Sequence, residues 1–397
     1  MNAVYSHPLR ARTPLRAPLA LALATALGVA ALPGLALAAT YTVTSGGDSG
    51  DGTCDATCTL RDAIAAANAN TGADTITFAS NLSGDMILLD IAGKGNIAIT
   101  DDLIIQGPGA NRLAVSGGDV ASSTDGGILN FSAYSTLTLA GITLTDGNTN
   151  GKGGALRTNA HNLTLSDVAI QNSHAQTFGG GVYMGSYGSA TFTHSTLSGN
   201  SAISGGGFSS NYVTVALVDS TVSGNSAHAG GGFYARAGLT VSNSTISGNV
   251  ANYLGGGFEL NKFDATLTNS IVANNSANSG AEFFGTTQYG TNNVTANNTL
   301  IEGNYSIGGT FSGANNIFGQ DPKLGPLTNN GGSTQTLALL PGSPAIDVGN
   351  NSTCETTDQR GVTRPYDGSN KGTAICDMGA FEVGFDDLDT IFANGFD

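Results

Sequence analysis

Tryptophan is missing from the 397 residues, and basic side chains are scarce, with 14 Lys and Arg against 29 Asp and Glu. Three of the 14 (Arg10, Arg12 and Arg16) precede residue 39, which leaves 11 against 29 in the rest of the chain. So acidic a chain is a poor partner for nucleic acid or an anionic lipid surface, since both require clustered cations. The same deficit works against an anionic polysaccharide unless bound cations intervene. Past residue 38 no segment has the length and apolarity of a membrane-spanning helix. The histidines His161, His174 and His228 are isolated, and no His-Glu-x-x-His metal spacing occurs. Cys54 and Cys58 are separated by three residues, so a redox Cys-x-x-Cys pair is also lacking.

What the chain has in abundance is glycine, 58 residues of it, together with Ser, Thr and Asn. Such a composition alone would suggest disorder. Against that, the sequence repeats: GGGVY at Gly179, GGGFS at Gly205, GGGFY at Gly230 and GGGFE at Gly255, decaying to SGAEFF at Ser279. A second phrase keeps phase with the first, from THSTLSGNSA at Thr193 to TNSIVANNSA at Thr268. The period is about 25 residues, and internal repeats of that length indicate a solenoid.

Superimposing the units gives three apolar columns: Leu165, Phe192, Leu217, Val241, Leu267; Ile170, Leu197, Val222, Ile246, Val272; and Val182, Phe208, Phe233, Phe258, Phe283. Between them lie β-branched runs with rough alternation, which favours strands. Asn172, Asn200, Asn225, Asn249 and Asn275 read as an asparagine column at a turn, where stacked amides can bond from coil to coil. A leucine-rich repeat would need spaced leucines and a helix per unit, and a glycine-rich linker would not keep apolar columns in phase. The predicted fold is therefore all-β: a right-handed single-stranded parallel β-helix with an N-terminal helical cap and a C-terminal cap. Each coil should add one strand to each of three sheets, with nine to ten coils over residues 76–318.

Five segments follow. Residues 1–38 place arginines before an Ala- and Leu-rich run ending in Ala36-Leu37-Ala38, the order of a secretory signal peptide; Pro33, Gly34 and the small-residue end argue against a membrane anchor. Residues 39–75 hold Cys54, Cys58 and a short predicted helix with Leu60, Ile64 and Ala67 on one face, suited to covering the solenoid's end. Residues 76–320 are the repeats, 321–385 a C-terminal cap, and 386–397 an acidic tail.

Cys58-Thr59-Leu60-Arg61-Asp62-Ala63, followed by Asp74-Thr75-Ile76-Thr77-Phe78, resembles the Cys-Ser-Leu-Arg-Glu-Ala motif of a domain found at the N-termini of bacterial surface and secreted β-helix proteins, with Thr59 and Asp62 replacing Ser and Glu. The run Gly342-Ser343-Pro344-Ala345-Ile346-Asp347, then Asp358-Gln359-Arg360-Gly361, Arg364-Pro365 and Cys376-Asp377-Met378-Gly379-Ala380-Phe381-Glu382, resembles the choice-of-anchor Q domain that follows β-helical repeats in bacterial exported proteins. Together the resemblances imply a bacterial protein that is secreted or held on the outer cell surface. Neither domain carries a known catalytic role. Arg360 and Arg364 are placed to pair with Asp347, Asp358 or Asp377. The tail, with Ile391-Phe392 and Gly395-Phe396, is similar to the short endings of some exported proteins and reads either as a sorting signal or as a frayed acidic terminus.

Four cysteines allow three connectivities. Export and the division of the four between two caps favour Cys54 with Cys58 and Cys354 with Cys376. A zinc site built from all four would need the ends of the solenoid to meet.

Two classes of function remain. The first is a structural or adhesive surface protein that binds a glycan or another protein without catalysis, using tyrosines near the turns: Tyr183, Tyr187, Tyr212, Tyr234 and Tyr253. The second is a polysaccharide-active enzyme. For that, Asp167 and Asp219 with His194 between them occupy one column and could supply an acid and base roughly 10 Å apart. Asn243 and Asn269 continue that column, however, as they would in a turn where Asp, His and Asn are interchangeable. A β-elimination lyase would need a basic residue beside an acidic calcium cluster, and Lys152, Arg157, Arg236 and Lys262 fall in no single column. No cofactor or metal is expected; surface calcium at Asp48, Asp51 and Asp55 competes with a plain solvated turn. The first class is the expectation.

Overall fold

A computed structural model describes residues 37–286, 290–369 and 371–384. The predicted signal peptide, apart from its last two residues, and the acidic tail lie outside the described residues.

The chain folds as a parallel β-helix of about nine turns. A first sheet of 11 strands runs from Thr40–Val43 to Phe311–Ser312, a second of 10 from Asp85–Leu88 to Ile317–Phe318, and a third of nine from Ile97–Ile99 to Tyr305–Ser306. The three apolar columns are in register as predicted: Leu165 pairs with Phe192 and onward to Leu217, Val241 and Leu267 in the first sheet. Ile170 to Val272 align in the second and Val182 to Phe283 in the third. All of these residues are fully buried. The phenylalanines stack with centroids 4.5 Å apart for Phe208 and Phe233 and 5.0 Å for Phe233 and Phe258, close to the spacing of parallel strands.

Three sheets were expected per coil, and the structure has a fourth. Short strands such as Ser201–Ser204 and Ser226–Ala229 form a six-stranded sheet between the second and third. Their inward positions hold small residues such as Ser122, Thr149, Ala175 and Ala227, and larger ones such as Ile203 and Tyr253 face outward, so no apolar column announced them.

The asparagine column is a buried ladder. Asn225 Nδ2 donates to Asn249 Oδ1 (3.0 Å) and to Leu197 O (2.9 Å), and its Oδ1 accepts from the backbone N and the Nδ2 of Asn200, both 3.0 Å. Asn275 ends the ladder by donating to Glu282 Oε2 (2.7 Å). Asn172 does not belong to it: Ser173 N donates to Asn200 Oδ1, so Ser173 holds the ladder position. Asn172 sits one place earlier with φ 51°, in the conformation that Gly199 and Gly224 adopt in later coils. Replacing Asn225 with Ala strips two donors and three acceptors of a buried partner. Unfolding free energy should fall by about 2–3 kcal/mol with secondary structure unchanged, measured by denaturant titration followed by circular dichroism.

The N-terminal end is closed by α1, Leu60–Ala69, whose Leu60, Ala63, Ile64 and Ala67 are buried in the core of the first coils. Thr59 and Asp62 make a reciprocal capping box. Burial pushes the Asp62 carboxyl up, but hydrogen bonds from the Thr59 side chain and the Thr59 and Gly52 backbones outweigh it, and the net shift is downward. Arg61 ties the helix to the coil by binding Asp48 through both Nε and Nη2 at 2.9 Å and the carbonyl of Gly95 at 3.0 Å.

The C-terminal region was expected to cap the far end, but it runs back along the flank. Gly332 O accepts from Asn111, Gln335 O from Thr196, Gln359 Oε1 from Thr221, and Val348 O from Asn298. It covers the outer face of the second sheet, where Ile271, Ala273 and Leu300 form a second apolar core with Leu339, Ala345, Met378, Phe381 and Val383. Both disulfides join the predicted partners, Cys54 with Cys58 and Cys354 with Cys376.

Candidate functional site

The column proposed for catalysis is a corner between the first and second sheets. Asp167, His194, Asp219, Asn243 and Asn269 have φ between 43° and 55°, the left-handed region that short polar side chains tolerate. The C-terminal brace then closes over them. Ser333 Oγ donates to Asp167 Oδ1 (2.8 Å), Thr334 Oγ1 donates to the His194 carbonyl (2.7 Å), and Arg364 Nη1 lies 3.3 Å from Asp219 Oδ1. Asp219 is 1% exposed. His194 and Asp219 do approach, at 4.0 Å, with the histidine side chain 26% exposed and the carboxylate almost fully buried. Burial pushes the Asp219 carboxyl up to about 8 despite Arg364, which pulls it down. Asp219 thus anchors the brace from a buried position, while Asp167 and His194 stay half-buried at its edge.

The brace carries the buried charge that the sequence indicated, with Arg360 on an expected partner and Arg364 on others. Arg360 binds Asp358 (2.9 Å) and lies 3.5 Å from the centroid of the Phe381 ring. Arg364 bridges Asp219 and Glu382, each at 3.3 Å, instead of meeting Asp347 or Asp377. Asp347 accepts from the backbone of Gly368 and Ser369, and Asp377 from Asp347 and Val383.

Asp48, Asp51 and Asp55 are not assembled for calcium. Asp48 is engaged by Arg61, while Asp51 and Asp55 accept from Thr53 and Thr57 in local turns. Among the described residues no group of three His, Cys, Asp or Glu could hold a metal.

The five tyrosines form three separate groups. Tyr187 and Tyr212 stack at 5.1 Å beside the turn from third to first sheet, with Arg236 5.4 Å from the Tyr212 ring. Tyr253 stacks on His228 at 5.5 Å on the fourth sheet. Tyr183 and Tyr234 belong to the third group, on the outer face of the third sheet.

This third group makes a site. In each third-sheet strand the column residue points inward, so the next residue points out, giving an outer row Arg157, Tyr183, Ser209, Tyr234, Glu259, Phe284. A second outer row contains Asn211, Arg236 and Asn261. Phe178, from the corner before the glycines, leans over this face with its ring 6.3 Å from Tyr183 and 6.5 Å from Tyr234. The result is a cavity of about 150 Å³ with aromatic walls from Phe178, Tyr183 and Tyr234, polar groups from Ser209 and Asn211, and cations from Lys152 and Arg236. Lys152 Nζ sits 4.9 Å from the Tyr183 ring centroid. Asn261 donates to the Tyr234 hydroxyl (2.6 Å), fixing that ring.

Two acceptor atoms on this face are buried without a hydrogen-bond partner among the described residues, Asn211 Oδ1 and Glu259 Oε2. Each such atom costs about 1–3 kcal/mol that a bound donor would recover. Burial raises the Glu259 carboxyl to about 7, so it is largely protonated below neutrality and can itself donate. Lys152, Phe178, Ser209, Asn211, Arg236 and Glu259 were not picked out as ligand-binding residues by sequence reasoning. The missed signal was the outward positions one and three places after each inward residue of the third column, which give Ser209, Glu259, Asn211 and Arg236; Lys152 and Phe178 come from the corner before the glycines. A scan against family models and a search of the curated proteins each returned no match.

Proposed function

We propose that the protein is an exported bacterial β-helix, secreted or displayed on the outer cell surface, that binds a glycan on the outer face of its third sheet without changing it. The observation that carries this reading is the cavity in which Tyr183, Tyr234 and Phe178 offer ring faces beside Ser209, Asn211, Lys152 and Arg236. Sugars present apolar ring faces and polar edges, and that combination of groups recognises both. Export rests on the leader-like first 38 residues, on the two resemblances at the chain ends, and on two disulfides, which persist in oxidising compartments.

Glu259, which pairs with Tyr234 on the adjacent strand but does not line the cavity, favours a second reading, since a buried carboxyl protonated near neutrality is what a general acid needs. Glycoside hydrolysis also requires a second carboxylate across the bond. The cavity lining contains none.

Calorimetric titration of the purified protein with a panel of neutral and acidic oligosaccharides tests the proposal. At least one should bind and be recovered intact by mass spectrometry, and Tyr234→Ala should weaken that binding about tenfold or more at unchanged melting temperature. Absence of binding across the panel would remove the proposal. Shortened products that disappear in Glu259→Gln would replace it with the enzymatic reading.

A further inference from the structure

The four cations of the solenoid between Arg112 and Lys323 are Lys152, Arg157, Arg236 and Lys262. Although they share no sequence column, the fold gathers them on the third sheet. Arg157 projects from its outer face, held by Asn130 Oδ1 (3.3 Å), with its Nε 3.9 Å from Asp125. Lys152 and Arg236 line the cavity. Lys262 follows the strand Phe258–Asn261 directly and is exposed. Counting coils, Arg236 lies three strands from Arg157 and Lys262 follows the strand after that, so the row spans roughly 15–20 Å along the helix axis. Two carboxylates share the face, Asp125 and Glu259.

We infer that the glycan is a polyanion, a chain bearing carboxylate or sulfate groups that lies along the helix axis over Arg157, the cavity and Lys262. The inference rests on the glycan reading above. It reverses the expectation drawn from net charge, because an overall excess of acid does not prevent a local row of cations from holding anionic groups. The acidic excess of the chain disfavours a polyanion over most of the remaining surface. Arginine and lysine here also stand beside aromatic rings, which suits sugar rings carrying charge better than a bare phosphate backbone.

The experiment is calorimetric titration of the full-length protein with three size-matched oligosaccharides, one neutral, one built from uronic acids and one sulfated, and with a single-stranded oligonucleotide. One or both acidic sugars should bind at least tenfold more tightly than the neutral one, and raising NaCl should weaken them. Arg236→Gln and Lys152→Gln should each lower that affinity about threefold to tenfold, whereas Lys371→Gln, on the C-terminal brace, should not. The uronate and sulfate arms identify the charged group. Equal affinity for neutral and acidic sugars overturns the inference and leaves glycan binding standing. Tighter binding of the oligonucleotide than of any sugar overturns it, and no sugar binding at all overturns both. Melting curves of each variant exclude unfolding as the cause of a lost signal, and the two separate substitutions guard against one failing to fold.

Discussion

Arg364→Met is expected to lower stability by about 3–5 kcal/mol at pH 8 and by clearly less at pH 5. The Arg364 side chain is fully buried, 3.3 Å from both Asp219 and Glu382, and its Nη2 donates to the Gly379 carbonyl at 2.7 Å. Methionine fills much of the volume but leaves two carboxylates facing each other in a dry interface. A buried charge that loses its partner is the costly case, unlike a pair replaced as a whole. The pH dependence follows from burial, which raises Asp219 to about 8 and Glu382 to about 7, while Arg364 pulls both down. Without the guanidinium both carboxyls rise further. At pH 5 they are protonated and tolerate its loss, whereas at pH 8 the fold must either hold uncompensated charge or bind protons from dilute solution.

The intact protein should show the same sign more weakly. Asp219, Glu382 and Asp377 all have folded-state values above those of the unfolded chain, Asp377 well above and raised by burial and by Glu382 beside it. Between about pH 4 and the folded values, the folded state keeps protons that the unfolded chain has released. Stability therefore falls as pH rises through that window. Denaturant titrations at pH 5 and pH 8, with proteolysis of the segment from Gly332 to Val383 as a local probe, would show this. Equal losses for Arg364→Met at both pH values would mean that its packing, and not its charge, secures the brace.

How much of this was legible depends on the range of the interaction that fixes each part. The core columns were readable because every coil repeats the same inward choice, Phe208, Phe233, Phe258, and a parallel ladder turns a constant spacing into a stack. The asparagine ladder was readable except at its first step. Successive ladder residues are separated by 27, 25, 24 and 26 positions, so the period does not fix the first step, and matching by residue type selects Asn172 where Ser173 belongs. The brace was not readable in place. Its docking face is the outward column Thr196, Thr221, Thr245, Ile271, Leu300, and only the last two break the polar pattern of an exposed row. For the same reason Asp219 looked like a surface acid. The cations of the third sheet escaped because Arg157 and Arg236 stand in different outward rows while Lys152 and Lys262 lie in the flanking turns, and a single-column search links none of them.

The glycine triplets bear the second large effect: Gly231→Val should prevent the solenoid from forming a continuous stack, so that the variant unfolds or is recovered as aggregate, and even Gly231→Ala should cost several kcal/mol. The three glycines of a triplet serve different needs. Gly230 has φ 65°, like Gly179, Gly205 and Gly255 at the same corner, so a side chain there meets backbone strain. Gly231 has no such φ. A Cβ on it would lie 2.4 Å from the carbonyl oxygen of Gly256 in the next coil and 2.6 Å from the backbone of Val250. Backbone cannot give way as a flexible side chain would, because Gly231 N donates to Gly255 O and Gly232 N to Gly256 O in the ladder that sets the coil spacing. The same collision recurs at Gly206 against Gly231 O and at Gly256 against Ala281 O, so one substitution strains the stack on a line that continues through neighbouring coils. A single alanine therefore forces two coils apart beside Phe233 and Phe258, whose rings stack at 5.0 Å and are fully buried. Gly230→Asn is the informative control. Asparagine tolerates the left-handed region, but its Cβ would meet the Phe233 carbonyl oxygen at 2.3 Å, so it too should destabilise. Comparable stability of Gly231→Ala and the parent in denaturant titration would show that the coils can yield at this corner, and the close approach would then not explain why the triplet returns in every coil from Gly179 to Gly255.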